Sequence, residues 1–183
     1  MIAGVDYSLV CPCICIIPAT KAFSYDTCTF HYLTPKHKLA DKFLKGKIHG
    51  YEHKTYSTEE QRHNNICHWA LDILNGVDNI VLEDYSMGSR GRVFNIAENT
   101  GLLKHHLWRF SKHVVKAAPT TIKKFATGKG NADKAKMYEF FLAETGCDLL
   151  KIFDMKTLGS PASDIADSYY MAKYAHHLLY PIS

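Results

Sequence analysis

The sequence predicts an α/β domain, a mixed sheet of about five strands with helices on both faces. Three observations carry this. Strand-like runs crowd the first 33 residues, and helical and strand-like periods alternate from residue 57 onward. One run, NIVLE at Asn79–Glu83, is apolar on successive residues, as in a strand covered by helices on both sides. The chain of 183 residues, 46% apolar with a net charge of +4, can bury one substantial core. No linker divides it, so residues 1–183 are read as one domain. No apolar run reaches the length of a membrane span and no charged leader precedes the first strand, so an intracellular protein with reduced thiols is expected.

Element by element, Ile2–Asp6, Cys13–Ile17 and residues 27–33 read as strands separated by turn-sized gaps. Residues 34–56 form a basic insertion rich in lysine and histidine. Within it residues 47–54 alternate, which suggests an exposed ribbon around Gly50, either a solvated loop or an arm touching phosphates. Ser57-Thr58-Glu59-Glu60 resembles a capping box opening a helix that carries Ile66, Trp69, Ala70, Ile73 and Leu74 on one face and stops at Gly76. After the NIVLE strand, a Gly/Arg-rich loop leads into a helix over about 94–110. A strand over 113–118 and a helix over 131–145 follow, and 147–160 is ambiguous. The last helix spans 161–179, with Ser160 as cap and Pro161 in the first turn.

Acids stand at three of these element ends. Asp6 closes the first strand, Glu83 closes NIVLE, and Asp164 and Asp167 fall just inside the last helix. By themselves two acids near a helix start are ordinary, because the dipole accommodates negative charge. Here, however, they continue a mostly apolar stripe through Met171, Tyr174 and Leu178, so they face inward. Ligands in open α/β sheets bind beyond the carboxyl ends of strands. If the two acid-bearing strands are neighbours and the last helix reaches the same place, four carboxylates share a small volume. Such a set requires cations, and oxygen donors suit Mg²⁺ or Mn²⁺.

Four ordered pieces, IAGVDYS, VLE, IKKFATGKGNADK and DIAD, resemble the RuvC-type Holliday-junction resolvases of the RNase H-like nuclease superfamily. The resemblance implies an RNase H-like fold and metal-dependent hydrolysis of DNA phosphodiesters. It implies Asp6, Glu83, Asp164 and Asp167 as catalytic metal ligands for two Mg²⁺ ions, with Mn²⁺ able to substitute. Lys123 and Lys134 are the matching phosphate-contacting lysines, Lys134 within the catalytic set. Branched DNA, four-way junctions foremost, is the implied partner, and paired incision implies a homodimer. In their own right, Gly128 and Gly130 beside Lys129 allow close backbone approach, and a helix starting at Asn131 would offer N–H groups to a phosphate. In the loop after Glu83, Arg90 and Arg92 suit phosphate contacts and Tyr85 suits stacking on an unpaired base. Bacterial relatives commonly carry an aromatic three positions after the glutamate. Here that position is Ser86, and with the basic insertion this suggests a phage-type or otherwise divergent member whose junction selectivity is open. A less selective branched-DNA or flap nuclease and a non-cleaving DNA-structure-binding protein are the alternatives.

Two conspicuous features carry less weight. Cys11, Cys13 and Cys15 alternate along a strand without the C-x-x-C spacing of a zinc knuckle, and read as buried thiols. The adjacent pairs His105-His106 and His176-His177 diverge on a helix and form no i, i+4 ligand set.

Overall fold

A computed structural model describes residues 1–20, 22–84 and 93–181. The sheet has seven strands, not about five. They are β1 (Ile2–Asp6), β2 (Cys13–Ile17), β3 (Thr29–Thr34), β4 (Phe43–Leu44), β5 (Ile48–Glu52), β6 (Asn79–Glu83) and β7 (His113–Ala117), in the spatial order β4-β5-β3-β2-β1-β6-β7. β2 runs antiparallel to β1 and β3, whereas β6 and β7 continue from β1 in parallel, so the sheet is mixed. The two additional strands come from the basic segment. β5 pairs in parallel with β3 and β4 closes the edge, so residues 48–52 lie inside the sheet rather than on an exposed ribbon. Ile48 and Gly50 are buried, and a Cβ at Gly50 would lie 2.4 Å from the Tyr32 hydroxyl. Apolar alternation within a lysine-rich stretch was therefore the stronger signal than its charge.

Helices cover both faces. On one side α1 (Glu59–Ile73) and α2 (Val93–Arg109) pack Ile66, Ala70, Leu74, Leu103 and Leu107 against Ala3, Val5, Ile14, Ile80 and Leu82. On the other, α3 (Pro119–Thr127), α4 (Lys134–Thr145), the short α5 (Leu149–Ile152) and α6 (Ala162–Leu179) cover Cys13, Cys15, Phe30, Ile48 and Val81. Alternate residues along each strand thus feed two separate cores, as the two-residue period of a pleated strand requires. α1 starts where expected, but its cap sits one residue later than the Ser57–Glu60 box: Thr58 Oγ1 accepts from the Gln61 N–H at 3.2 Å, and Gln61 Oε1, not Glu60, reaches back to accept from the Ser57 N–H at 2.8 Å.

α6 departs from expectation at its start. Pro161 is the N-cap, no side chain caps the helix, and Ser160 lies outside it. What holds α6 is its contact with β1. A Cβ on Gly4 would sit 2.1 Å from Ala172 N and 2.5 Å from Ser168 O, so glycine lets the helix backbone lie directly on the strand. α3 was not foreseen as a helix. Its signals are Pro119 at the first turn and Gly128 in the left-handed conformation at its end, flanking one buried apolar residue, Ile122.

Candidate active site

β1 and β6 are parallel neighbours in the register Val5↔Leu82, so their terminal acids Asp6 and Glu83 emerge side by side at one end of the sheet. α6 delivers Asp164 and Asp167 to the same end. One carboxylate oxygen from each of Asp6, Asp164 and Asp167 lies within 4.8 Å of the others. Glu83 stands beside this trio rather than within it. Asp6 is 8% exposed and Asp164 4%. Three carboxylates in a desolvated space repel one another, and burial raises the cost of charging each.

The titration behaviour follows from that crowding. Burial, and then the charges of Glu83, Asp164 and Asp167, hold the Asp6 pKa well above the ordinary aspartate value. Burial and the neighbouring Asp167 charge push Glu83 up to about 7. Burial also raises Asp167, to about 6, against the opposing charge of Lys134. Burial alone would lower Lys134, but the Asp164, Asp167 and Asp6 carboxylates outweigh it and raise its pKa.

The lysines take distinct positions. Lys134 Nζ donates to Asp164 Oδ1 at 3.2 Å and to Ser163 Oγ at 3.4 Å, and Ser163 Oγ donates to the same carboxylate oxygen at 3.1 Å. This orientation of Asp164 by Ser163 was not foreseen. Lys123, on α3, is near enough for its charge to favour ionisation of Glu83 and Asp167. Lys129 is exposed in the turn between α3 and α4, where its N–H donates to Thr127 Oγ1 at 3.2 Å. α4 starts at Lys134, not Asn131. Its N-cap Asp133 accepts the Lys136 N–H at 2.8 Å, so a carboxylate already occupies a donor that had been assigned to a phosphate. Tyr85, Arg90 and Arg92, with Ser86, Gly88 and Gly91, lie outside the described residues.

Whether the residues fit a divalent cation can be tested at Asp164. Its Oδ2 is buried with no hydrogen-bond partner among the described residues, while Oδ1 holds Lys134 and Ser163. A buried, unpaired carboxylate oxygen is costly unless a cation meets it. An all-oxygen donor set suits a hard ion such as Mg²⁺ or Mn²⁺. The residues therefore fit. The cysteines stay out of the donor set: Cys11, Cys13, Cys15, Cys28 and Cys67 are free and buried, and Cys13 Sγ lies 3.3 Å from Ser168 Oγ. Burial, then the Asp164 charge beside it, drives the Cys11 thiol pKa upward, so it remains protonated. His176 is structural, its Nε2 lying 2.7 Å from the Thr20 carbonyl oxygen.

A mixed sheet with acids at the ends of two adjacent parallel strands, crossed by the last helix bearing two more, follows the RNase H-like plan. Solved structures with the same fold include RuvC and a viral resolvase. RuvC of Thermus thermophilus superposes with a TM-score of 0.59 at 16% identity, covering 98% of this chain and 93% of that one. T. thermophilus RuvC in complex with a Holliday junction substrate gives a TM-score of 0.62 at 15% identity, with the same coverage. The Fowlpox virus resolvase, solved with substrate Holliday junction DNA, gives 0.54 at 15% identity, covering 97% of each chain. No protein-family model and no curated protein matches the sequence. At these identities the likeness is one of fold. No described helix is long and apolar enough to cross a membrane.

Proposed function

We propose that the chain is a divalent-metal-dependent, structure-selective DNA endonuclease that resolves four-way junctions by paired incision, as a homodimer. The observation that carries this reading is the meeting of Asp6, Asp164 and Asp167 oxygens within 4.8 Å, on a chain with the fold of junction resolvases. Asp6, Asp164 and Asp167 would hold the cation, with Glu83 beside them completing the donor set. Two ions, Mg²⁺ or Mn²⁺, would supply activation of water and stabilisation of the leaving oxygen.

The chain's own groups have complementary tasks. Lys134 anchors Asp164 and places positive charge where the phosphate becomes more negative in the transition state. Glu83, with a pKa near 7 before any cation binds, is able to hold a proton at neutral pH. Lys123 offsets the negative charge of the cluster, and Lys129, Tyr85, Arg90 and Arg92 are assigned to DNA contacts. Ser86, in place of an aromatic at the junction centre, favours broader selectivity and keeps flaps and three-way junctions in view as substrates.

The test is cleavage of labelled four-way, three-way, flap and linear DNA in Mg²⁺ or Mn²⁺, alongside Asp6→Asn. Paired symmetrical nicks in the four-way substrate, lost in Asp6→Asn, are expected. Comparable cutting of flaps would replace resolution with general branched-DNA cleavage. Tight binding without cutting would leave a DNA-structure-binding protein.

A further inference from the structure

We propose that Lys36, Lys38 and Lys42 form a phosphate track that carries a double-stranded DNA arm away from the carboxylate cluster. The inference rests on the nuclease reading for where the DNA begins, but its own readout is binding.

The track has a fixed backbone. The connection from β3 to β5 buries Leu39 and Ala40. The Tyr32 O–H donates to the Leu39 carbonyl at 2.5 Å, the Ala40 N–H to the His37 carbonyl at 3.1 Å, and the Gly50 N–H to the Lys42 carbonyl at 2.8 Å. The three lysines are exposed, and none forms an ion pair among the described residues. The backbone that carries them is therefore fixed, and the three positive charges exceed the single exposed acid within the segment, Asp41. Asp154 is the one acid on the groove of about 320 Å³ that Lys38 and Lys42 share with Leu39, Leu44, Ile152 and Phe153, and His37 pairs with Glu52.

Position gives the track its direction. β2 runs antiparallel to both β1 and β3, so β3 leaves the sheet at the same end as β1, and the lysines follow Thr34 at the end that carries Asp6. Register links Asp6 to Cys13, Cys13 to Tyr32 and Tyr32 to Gly50, and the Gly50–Lys42 hydrogen bond extends that row to the edge. Four strand spacings set Lys42 roughly 19 Å from Asp6. Lys36 is at the near end, where its charge reaches Cys11 beside Asp164.

The chemistry suits a phosphate backbone. Ammonium groups are point charges, sequence-independent in their grip on phosphate oxygens. A duplex is stiff over roughly 150 base pairs, so an arm held at its scissile phosphate runs straight. At 3.4 Å per step, a reach of roughly 19 Å corresponds to about 5–6 base pairs.

Fluorescence anisotropy of the full chain without divalent ions tests this, using four-way junctions with arms of about 15 base pairs or arms cut to about 4 and closed by hairpin loops. The triple variant Lys36→Ala/Lys38→Ala/Lys42→Ala is expected to bind the long-armed junction about 10–100-fold more weakly at low salt, its log–log salt slope shallower by about 3. The short-armed junction should lose far less. Each single substitution should reduce the slope by about 1, and the triple Lys→Arg variant should retain it, which keeps the test valid should the alanine triple fold poorly. An unchanged slope, an equal loss on both junctions, or an equal loss on single-stranded DNA would overturn the track. Wild-type protein that binds but never cuts in Mg²⁺ would remove the nuclease reading and leave the slope result standing.

Discussion

Asp167 and Glu83 have folded-state pKa values raised by burial and like charge, to about 6 and about 7, and Asp6 is held well above its ordinary value by the same causes. The unfolded values are about 4, so these groups favour the protonated native state. Their stability is fully present below about pH 4 and is lost as pH rises toward 7. The melting temperature of the metal-free protein is therefore expected to fall across that window, and Mg²⁺ to restore it. Asp167→Asn removes a buried charge whose desolvation, with the Asp164 charge adding to it, costs about 3 kcal/mol, and should raise the metal-free melting temperature at pH 8 by several degrees while abolishing cleavage. Differential scanning calorimetry with and without Mg²⁺ checks both, and a pH-independent melting temperature would contradict the crowding. Lys134→Ala should slow cleavage about 10²-fold and move the acid limb of the pH–rate profile upward, because Lys134 holds Asp167 and Glu83 down. At this scale the sequence pointed to the acids and to Lys134. Ser163, which orients Asp164, carries no pattern that marks it.

At the scale of elements, one glycine governs the site. Gly4 places the α6 backbone against β1, and the first turn of α6 carries Asp164 toward Asp6. Gly4→Ala puts a methyl group 2.1 Å from a backbone nitrogen, which no rotamer change relieves. A loss of about 3 kcal/mol or more is expected in urea unfolding, with a smaller Mg²⁺-induced rise in melting temperature because the carboxylates separate. Glycine inside a strand is a sequence-level sign of close backbone approach, so this contact could have been read from IAGVD. α3 and β5 were harder. α3 shows one buried apolar residue, and β5 lies in a segment whose lysines suggest solvent, although its alternate residues Ile48 and Gly50 face the core. α4 starts three residues later than expected because Asp133 caps it, its side chain accepting the Lys136 N–H.

For the whole molecule, the proposed homodimer needs exposed apolar anchors, and α2 offers two aromatic rings. Phe94 and Trp108, 81% and 74% exposed, are fourteen residues apart and so lie on nearly the same side of the helix. Trp108→Glu is expected to shift the protein from dimer to monomer in sedimentation velocity, and to convert paired incisions into single nicks in a plasmid cruciform. A dimer unaffected by that change would assign the contact elsewhere. The modest net charge of +4 conceals an uneven distribution, with acids gathered at the ends of β1, β6 and the start of α6, and lysines along the connection from β3 to β5.

The sequence by itself determined the α/β class, the two acid-ended strands and the inward-facing acids of the last helix. Each of these is written in local periodicity and in which residue ends an element. Only the tertiary structure decided that β1 and β6 are parallel neighbours, that Gly4 seats α6 so that oxygens from Asp6, Asp164 and Asp167 come within 4.8 Å, and that a lysine-rich connection becomes part of the sheet. The reason is physical: periodicity is set by backbone geometry over a few residues, whereas strand order and helix seating depend on how faces far apart in the chain bury one another.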